Sequence, residues 1–522
     1  MQLSRAPRGP IPSRPRGQAR IAEPSFAGRD RVQATGTAVA IALAGVTVLL
    51  VLRWLGAPLM ALALPAAGLG TMLALARPAG VVSIVLLLTG FIGTIIAHTA
   101  IPAESVARGL LLCLWIAVVA LYATGRAKGR VWVWPGLAIP VLYLAVTAIG
   151  IPLADNRGAA LTDVLGSTWY MGAFLLIAIA PWRPDTIMRI AKGVVLVAAA
   201  VGLYAVFRKI VGSSADELTL ARASNAVRAS EPIRFFGSFL GPQQLAAWSA
   251  AAIPFLLGLA LGWRGLWRGM ATVGVALCTF ATFASDIRTG VAAAVAGVAM
   301  VLLLFQICRA FTGPRLATGL VAVVALAAVA GAGYAITISG SDASSERFEN
   351  LLSPGEDPAY QERIARWSDA IEAINARPFG HGLGTAGTAG VLKNPANFAG
   401  PVNLDSSYLK IGLEQGYAIM ALFVVALLAL LVGIARRAAA SRDRWRAALG
   451  IAACGTLVTE IVLFYGSTFI EGIPVLFGWI LIGLGAAPFT FVADPDDSGD
   501  PVPESTPRKA EAPRDHPAVA PG

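Results

Sequence analysis

The sequence predicts an all-α polytopic membrane protein, and three observations support this prediction. Of the 522 residues, 56% are hydrophobic and only 14% are charged, whereas charged residues make up about a quarter of an ordinary soluble domain. Long apolar runs recur from residue 35 to residue 492. Such runs must be helical, because an isolated segment in lipid can pair its backbone groups only internally. A water-soluble enzyme and a protein with a single membrane anchor are therefore excluded.

The chain divides into two polar tails and about fourteen apolar segments near the length that crosses a bilayer. Residues 1–33, rich in Arg, Pro, Gly and Ser, and residues 493–522, rich in Pro and acidic residues, are predicted to be disordered because they cannot bury enough apolar surface. Eleven predicted spans lie within 34–338 and three within 407–492. The short segments 107–123 and 168–181 leave a count of 12 to 14. The predicted spans are 34–52, 55–76, 80–101, 107–123, 131–152, 168–181, 187–207, 243–262, 267–285, 289–308, 316–338, 407–434, 445–466 and 468–490.

The basic residues predict the orientation. The net charge of +11 does not indicate nucleic-acid binding, because most Lys and Arg lie at the ends of apolar segments, where they mark the cytoplasmic side. With the N-terminus inside and alternating spans, the inside loops at 126–130, 183–192, 264–268, 309–315 and 436–446 are the basic ones. Both termini are then expected to be cytoplasmic.

Two outside loops are long, at 208–242 and 339–406. Loops of this length are usually functional or disordered. In the second loop, a start at Asp357-Pro358 and a stop at Pro378 bound one amphipathic helix. Its apolar stripe lies on the bundle or on the membrane surface, and we expect Arg363 and Arg366 on the other face. The stripe consists of Tyr360, Ile364, Trp367, Ile371 and Ile374.

Neither a metal centre nor a disulfide framework is predicted. Cys113, Cys278, Cys308 and Cys454 all lie in apolar segments, as small buried hydrophobic residues do. The chain has only three histidines, which makes a histidine-built metal site improbable. We therefore expect no cofactor.

The ionisable residues in or beside the predicted spans cluster at the outer side. Charges in a membrane are costly, so their placement points to function. A transporter of polar solutes would keep such groups at mid-membrane, and the inner halves have few of them. A transporter is thus the less favoured class, and a site at the external face is favoured. The outer groups are His98, Glu104, Asp286, Arg288, Asp405, Lys410, Glu414, Glu460 and Glu471.

Four motifs follow one another at this outer side. They are RFFGSFLGPQQLA at 234–246, SDIRTG at 285–290, R-x-x-x-W at 363–367 with PFGHGLG at 378–384, and DSSYL-x-x-x-x-E-x-G at 405–416. In this order, around one large loop, they resemble the O-antigen ligase and polymerase superfamily of bacterial surface polysaccharide assembly. The resemblance covers residues 230–480 well and the first half only in its hydropathy.

This resemblance implies glycosyl transfer outside the cytoplasm, from a glycan on undecaprenyl pyrophosphate to a sugar hydroxyl. Arginine suits the pyrophosphate leaving group, because its planar fork binds phosphate oxygens and stays charged. Fixed cations would then replace a divalent metal. An acidic side chain would orient or deprotonate the acceptor hydroxyl. The predicted pyrophosphate or substrate contacts are Arg234, Arg288, Arg363, Arg366 and Tyr408, and the predicted catalytic residues are Asp405 first, Glu414 second and His381 third.

The sequence departs from the ligases in one motif. Ligases of this superfamily resemble one another in having His-Asn where this chain has Asp405-Ser406. An aspartate there looks more like the polymerases of O-antigen or exopolysaccharide repeat units. The prediction is therefore a polymerase, with a ligase that transfers glycan to lipid A-core as the alternative. Expected partners are the carrier-linked glycan, the lipids of a bacterial inner membrane and a chain-length regulator or other assembly proteins, but no nucleic acid. A transporter of polysaccharide or lipid-linked oligosaccharide is the less favoured second class, and a scaffold role is a third class.

Each predicted site residue also has a structural interpretation. Asp405 is a possible N-cap of the following helix, and Arg363 a possible surface partner of Glu362 or Asp369. Arg288 can serve as an interfacial residue alone, while Arg234 lies in a polar loop where basic residues are common. Glu414 can hold a neighbouring helix, and the glycine-rich stretch around His381 reads as a turn.

Overall fold

The computed structural model confirms an all-α polytopic membrane protein. The predicted spans at 34–52 and 316–338 lie outside the described residues, as do both predicted tails apart from Ala493. The structure describes residues 57–99, 101–127, 129–223, 234–311, 358–399, 404–467, 470 and 472–493.

Seventeen α-helices, one 3₁₀ helix (Pro395–Asn397) and one pair of short strands are the regular elements of the described part of the chain. The helices of the first half are α1 (Ala57–Ala76), α2 (Pro78–Gly90), α3 (Ile92–Thr99), α4 (Ala103–Ala123), α5 (Pro135–Leu153), α6 (Arg157–Gly166), α7 (Thr168–Ile179), α8 (Pro184–Val211) and α9 (Ala215–Ala223). Those of the second half are α10 (Pro242–Gly262), α11 (Gly265–Ala284), α12 (Arg288–Ile307), α13 (Pro358–Ala376), α14 (Gly387–Lys393), α15 (Ser407–Ala440), α16 (Arg444–Gly466) and α17 (Ile473–Thr490). Strand β1 (Gly129–Val131) pairs antiparallel with β2 (Phe491–Ala493).

Among the described residues, nine helices are long and apolar enough to span a membrane, and two bent helix pairs bring this number to eleven. The bends measure 117° between α1 and α2 and 47° between α6 and α7. Each of the twelve predicted spans in the described ranges overlaps one or two of the seventeen α-helices, but α1 and α2, predicted within the separate spans 55–76 and 80–101, form one bent pair. Ala493, predicted as the first residue of the tail, instead ends strand β2.

The predicted span 80–101 is wrong as a single helix, because it breaks at Phe91 between α2 and α3. A loop from the second half fills the break. The Ser238 carbonyl accepts hydrogen bonds from the N–H groups of Gly93 (2.8 Å) and Thr94 (3.2 Å), and the Ser238 hydroxyl donates to the Gly90 carbonyl at 2.6 Å. Backbone groups freed by a helix break need such partners, and this partner lies about 150 residues away in the chain.

The centre of the bundle is α10, in which every residue from Leu245 to Gly262 is buried. Trp248 of α10 stacks on Phe477 of α17 with ring centroids 4.0 Å apart. Small residues bring the other helices close: a Cβ at Gly258 would lie 2.7 Å from Ala452 of α16. Such small-residue contacts are typical of helix packing in membranes, where close approach of backbones replaces the hydrophobic driving force.

Basic side chains lie on aromatic rings at both ends of the bundle. We call the end where α12 and α15 begin the site end, and the other the opposite end. At the opposite end, basic side chains stack on tryptophans: Arg437 lies 4.3 Å from the Trp134 ring and Lys192 lies 5.0 Å from the Trp267 ring. Tryptophan and basic residues together are typical of a membrane interface.

Candidate active site

Three helix ends meet at the centre of the site end. The start of α12 packs on the end of α16, because a Cβ at Gly466 would lie 2.3 Å from Thr289. The next residue, Ser467, offers its carbonyl to the backbone N–H (3.2 Å) and hydroxyl (3.0 Å) of Ser407, the first residue of α15. The segment Gly466-Ser467 therefore lies between Arg288, which precedes Thr289, and the residues just before Ser407.

Asp405 lies just outside α15 and does not cap it. Ser406 is the N-cap, and its hydroxyl accepts the N–H of Leu409 at 3.5 Å. Asp405 instead adopts a left-handed backbone with φ 50°, a conformation that costs free energy for a residue with a side chain. The capping interpretation of Asp405 is thus wrong, and its carboxylate is available for other contacts.

Helix α13 brings two arginines to that carboxylate. Asp405 Oδ2 lies 3.3 Å from Arg366 Nη2 and 3.8 Å from Arg363 Nε. The three side chains are 22–30% exposed. The Nε atom of Arg363 is itself buried and donates no hydrogen bond to any described residue. The expectation that both arginines lie on the face opposite the apolar stripe is wrong, because the stripe residue Trp367 contacts the neighbouring Leu404. Their long side chains reach Asp405 from the same side of α13 as Trp367.

Trp367 anchors α13 beside the site. Its indole N–H donates to the Leu404 carbonyl at 3.1 Å, and its ring meets Tyr465 of α16 edge-on, with centroids 5.0 Å apart. Farther along α13, Ala370 and Ile374 are fully buried. The R-x-x-x-W motif therefore combines a charged group at the site with an aromatic anchor one turn later.

The glycine-rich turn at 378–384 fills a break in α15. Gly416 interrupts that helix with φ 82° and ψ 175°. The carbonyls of Leu413 and Glu414 accept the N–H groups of His381 (2.7 Å) and Gly382 (2.9 Å), and Tyr417 donates its N–H to the Pro378 carbonyl at 3.0 Å. This close contact excludes larger residues, since a Cβ at Gly380 would lie 2.4 Å from the Glu414 carbonyl oxygen.

A second charge cluster, which is buried, binds the glycine-rich turn to α15 and α6. Lys410 Nζ donates to Asp163 Oδ1 at 2.5 Å and to Glu414 Oε2 at 2.8 Å. The other Glu414 oxygen accepts the N–H groups of Gly384 (3.2 Å) and Ala386 (3.1 Å). Every oxygen of Glu414 is thus engaged with α15 or with the turn, which favours the structural interpretation of this residue.

The other predicted residues have different surroundings. The Tyr408 hydroxyl donates to the Ile461 carbonyl at 3.1 Å, and His381 Nε2 lies 3.2 Å from the Ala373 carbonyl oxygen. Arg234 is half-buried at the site end, on the loop whose Ser238 fills the α2–α3 break. Roles in catalysis for His381 and Glu414, and in binding for Tyr408 and Arg234, stay predictions.

Sequence reasoning missed Asp163. It lies on α6, 247 residues before Lys410 in the chain, and is nearly fully buried. The signal present in the sequence was a carboxylate between two apolar segments, in the stretch GAALTDVLGSTWY. Its partner is set by how α6 packs, which no local pattern encodes.

One comparison with known proteins gives a match. Residues 273–424 match the family model described as O-Antigen ligase. This range includes Arg288, Arg363, Arg366, Asp405 and the glycine-rich turn, whereas Arg234 lies before it. No curated protein matches the chain. The family match supports the O-antigen ligase and polymerase superfamily, and with it a membrane enzyme of O-antigen ligase or polymerase type.

Proposed function

We propose that this protein is a membrane glycosyltransferase that polymerises undecaprenyl-pyrophosphate-linked oligosaccharide repeat units at the periplasmic face of the bacterial inner membrane. The observation that carries the proposal is Asp405, held by Arg363 and Arg366 next to the start of α12 at Arg288. This arrangement joins cations for a pyrophosphate to an acceptor for a hydroxyl proton. The donor type and independence from metal are parts of the same proposal.

In the proposed reaction, the acceptor hydroxyl oxygen forms a bond to the anomeric carbon of the donor sugar. The bond from that carbon to the phosphate oxygen breaks, and its electron pair leaves with undecaprenyl pyrophosphate. The hydroxyl proton passes to Asp405 or to water that Asp405 orients. Arg363 and Arg288 offset the charge that grows on the leaving group, as fixed donors do at other developing anions.

The electrostatics of the two ends support a periplasmic site. The opposite end carries the basic loops at 183–192, 264–268 and 436–446, as the cytoplasmic side of an inner-membrane protein does. At the site end, α12 and α15 both begin beside Gly466 and Ser467. Helix N-termini carry a partial positive charge, which favours a pyrophosphate there.

A ligase that transfers the glycan to lipid A-core is the second candidate, because the matching family model is described as O-Antigen ligase. Deletion of the gene, followed by analysis of carrier-linked saccharides, separates the two. A polymerase deletion accumulates single repeat units on the carrier, and a ligase deletion accumulates carrier-linked polymer. Unchanged surface polysaccharide and unchanged carrier-linked species would contradict both.

A further inference from the structure

Helix α13 runs parallel to the first turns of α15. The contacts between them follow the same order: the first half of α13 meets two residues shortly before α15, and the end of α13 meets residues within α15. They join Arg363 to Asp405, Trp367 to Leu404, Ile374 to Gly412 and Asn375 to Tyr417. The end of α13 therefore points in the same direction as α15, from the site end towards the interior of the bundle.

How deep the end of α13 lies along the bundle axis follows from its position relative to α5, a candidate span. Thr147 of α5 donates a hydrogen bond to Gln415 at 3.0 Å, one residue before the break at Gly416. Thr147 lies six residues before the end of α5 at Leu153, which is about 9 Å along a helix. Ile149 and Leu153, beyond that level, are 61% and 78% exposed. An exposed apolar surface thus continues past the level at which the turn fills the break.

The turn itself ends in an exposed aromatic side chain. Phe379 is 91% exposed, although its backbone packs against Gly416. On α13, which ends before the turn, the exposed apolar side chains Ile364 and Ile371 lie seven residues apart, which places both on one side of that helix. Exposure of so much apolar area to water is unfavourable, whereas in lipid it is not.

The bonding at the break is also what a membrane environment requires. In lipid every backbone group must be paired within the protein. The groups that Gly416 frees in α15 are paired with Pro378, His381 and Gly382. An irregular segment buried in this way is tolerated at membrane depth.

We propose that the Phe379 turn is inserted among the acyl chains of the bilayer leaflet at the site end. The occupant of this surface is bulk bilayer lipid, since Phe379 lies at the break in α15, and the exposed apolar side chains Ile149 and Leu153 of α5 lie beyond the level of that break. Arg366 lies ten residues before the end of α13, about 15 Å farther towards water. The turn thereby fixes the height of the arginines at the level of the lipid headgroups, and this conclusion does not depend on the proposed function.

The test is spin-label accessibility of the full-length protein in phosphatidylcholine nanodiscs, where both faces of the bilayer are open to solution. Labels are placed at Phe379→Cys and at Leu392→Cys, with the four native cysteines replaced by alanine. Leu392 is the matched control, because it is an apolar side chain 69% exposed on α14 of the same loop. The lysine carbonyl next to it accepts a hydrogen bond from Asn156, beyond the end of α5.

We expect the label at Phe379→Cys to be relaxed by oxygen several-fold more than by a water-soluble nickel chelate, and the label at Leu392→Cys to show the reverse. Equal preference for the nickel chelate at both positions would overturn the proposal. Protection of the Phe379→Cys label from both reagents would also overturn it, in favour of a second protein copy.

A second measurement tests the proposal even if the protein without its native cysteines does not fold. With the native cysteines kept, the rate of maleimide labelling is compared in the same nanodiscs, using the unsubstituted protein as background. Labelling of Phe379→Cys at least tenfold slower than that of Leu392→Cys is expected. Equal rates would contradict insertion into lipid.

Discussion

Two clusters of paired charges lie close together at the start of α15, and they differ in burial and in bonding. Asp405 with Arg363 and Arg366 keeps 22–30% exposure at separations of 3.3–3.8 Å. Lys410 with Asp163 and Glu414 keeps 1–4% at 2.5–2.8 Å. The side chains of the buried cluster have little capacity to bind a ligand, whereas those of the partly exposed cluster can still contact one. The comparison separates a group that positions the glycine-rich turn from a group that can contact substrate.

The largest effect on stability is expected for Lys410→Met. This variant leaves the carboxylates of Asp163 and Glu414 buried without their cation, which typically costs about 3–5 kcal/mol. Arg366→Met is the matched control, because a partly exposed ion pair contributes at most about 1 kcal/mol. Thermal unfolding in detergent measures both variants. Equal losses of stability would remove the distinction between the clusters.

The next effect is on catalysis alone. Arg288→Ala should lower polymer formation by at least about a hundredfold, since removal of one fixed donor to a developing anion has that size. The protein should remain in the membrane at its normal level. Arg222→Ala, an exposed arginine of α9, serves as the control with unchanged polymer. Wild-type chain length in the Arg288→Ala strain would place the pyrophosphate elsewhere.

A smaller effect tests the geometry of the exposed cluster. Arg363→Lys keeps the charge but loses the planar fork that binds two phosphate oxygens. We expect polymer formation to fall about tenfold, close to the loss of one charge-assisted hydrogen bond. Initial rates with carrier-linked repeat units measure this change. Full activity of Arg363→Lys would indicate that the position supplies only charge.

The smallest effect concerns a third cluster, at Glu217 on α9. Burial raises the pKa of this carboxyl, but hydrogen bonds from Tyr204, Ser214 and Thr94 and the nearby Arg208 outweigh burial and lower the pKa overall. The ionised Glu217 carboxyl therefore stabilises the fold at pH values above its ordinary pKa of 4.5. This stabilisation is lost as the pH falls through the lowered pKa of the folded state.

The unfolding temperatures of the unsubstituted protein and Glu217→Gln should therefore differ above about pH 5 and converge at lower pH. A difference that is the same at all pH values would show that the Glu217 cluster contributes packing rather than charge. Such a result would leave the comparison between the two α15 clusters unchanged.

Local patterns predicted the parts of the fold that local physics determines. The helix Pro358–Ala376 follows from its start and stop residues and from its apolar repeat. The Pro378–Gly384 stretch was expected as a turn, and four glycines with positive φ between 380 and 387 fit that expectation. The apolar segments gave the helices of the bundle, because only helices satisfy an isolated backbone in lipid.

Contacts between distant parts of the chain could not be predicted in this way. The pairing of Asp163 with Lys410 spans 247 residues, and Ser238 fills a helix break 148 residues away from Gly90. The choice of Ser406 over Asp405 as N-cap rests on one backbone angle. Helix packing decides the first two contacts, and a single sequence contains no local signal for it. The N-cap depends on the left-handed backbone at Asp405, which the residue types alone do not predict.

The most direct test of the central claim is the carrier-linked saccharide pool in a strain that carries Asp405→Asn. Asp369→Asn is the control, an exposed carboxyl on α13 of the same loop. If Asp405 engages the acceptor, the Asp405→Asn strain accumulates single repeat units on the carrier while the protein is present at its normal level. A wild-type distribution of chain lengths in that strain would contradict the account.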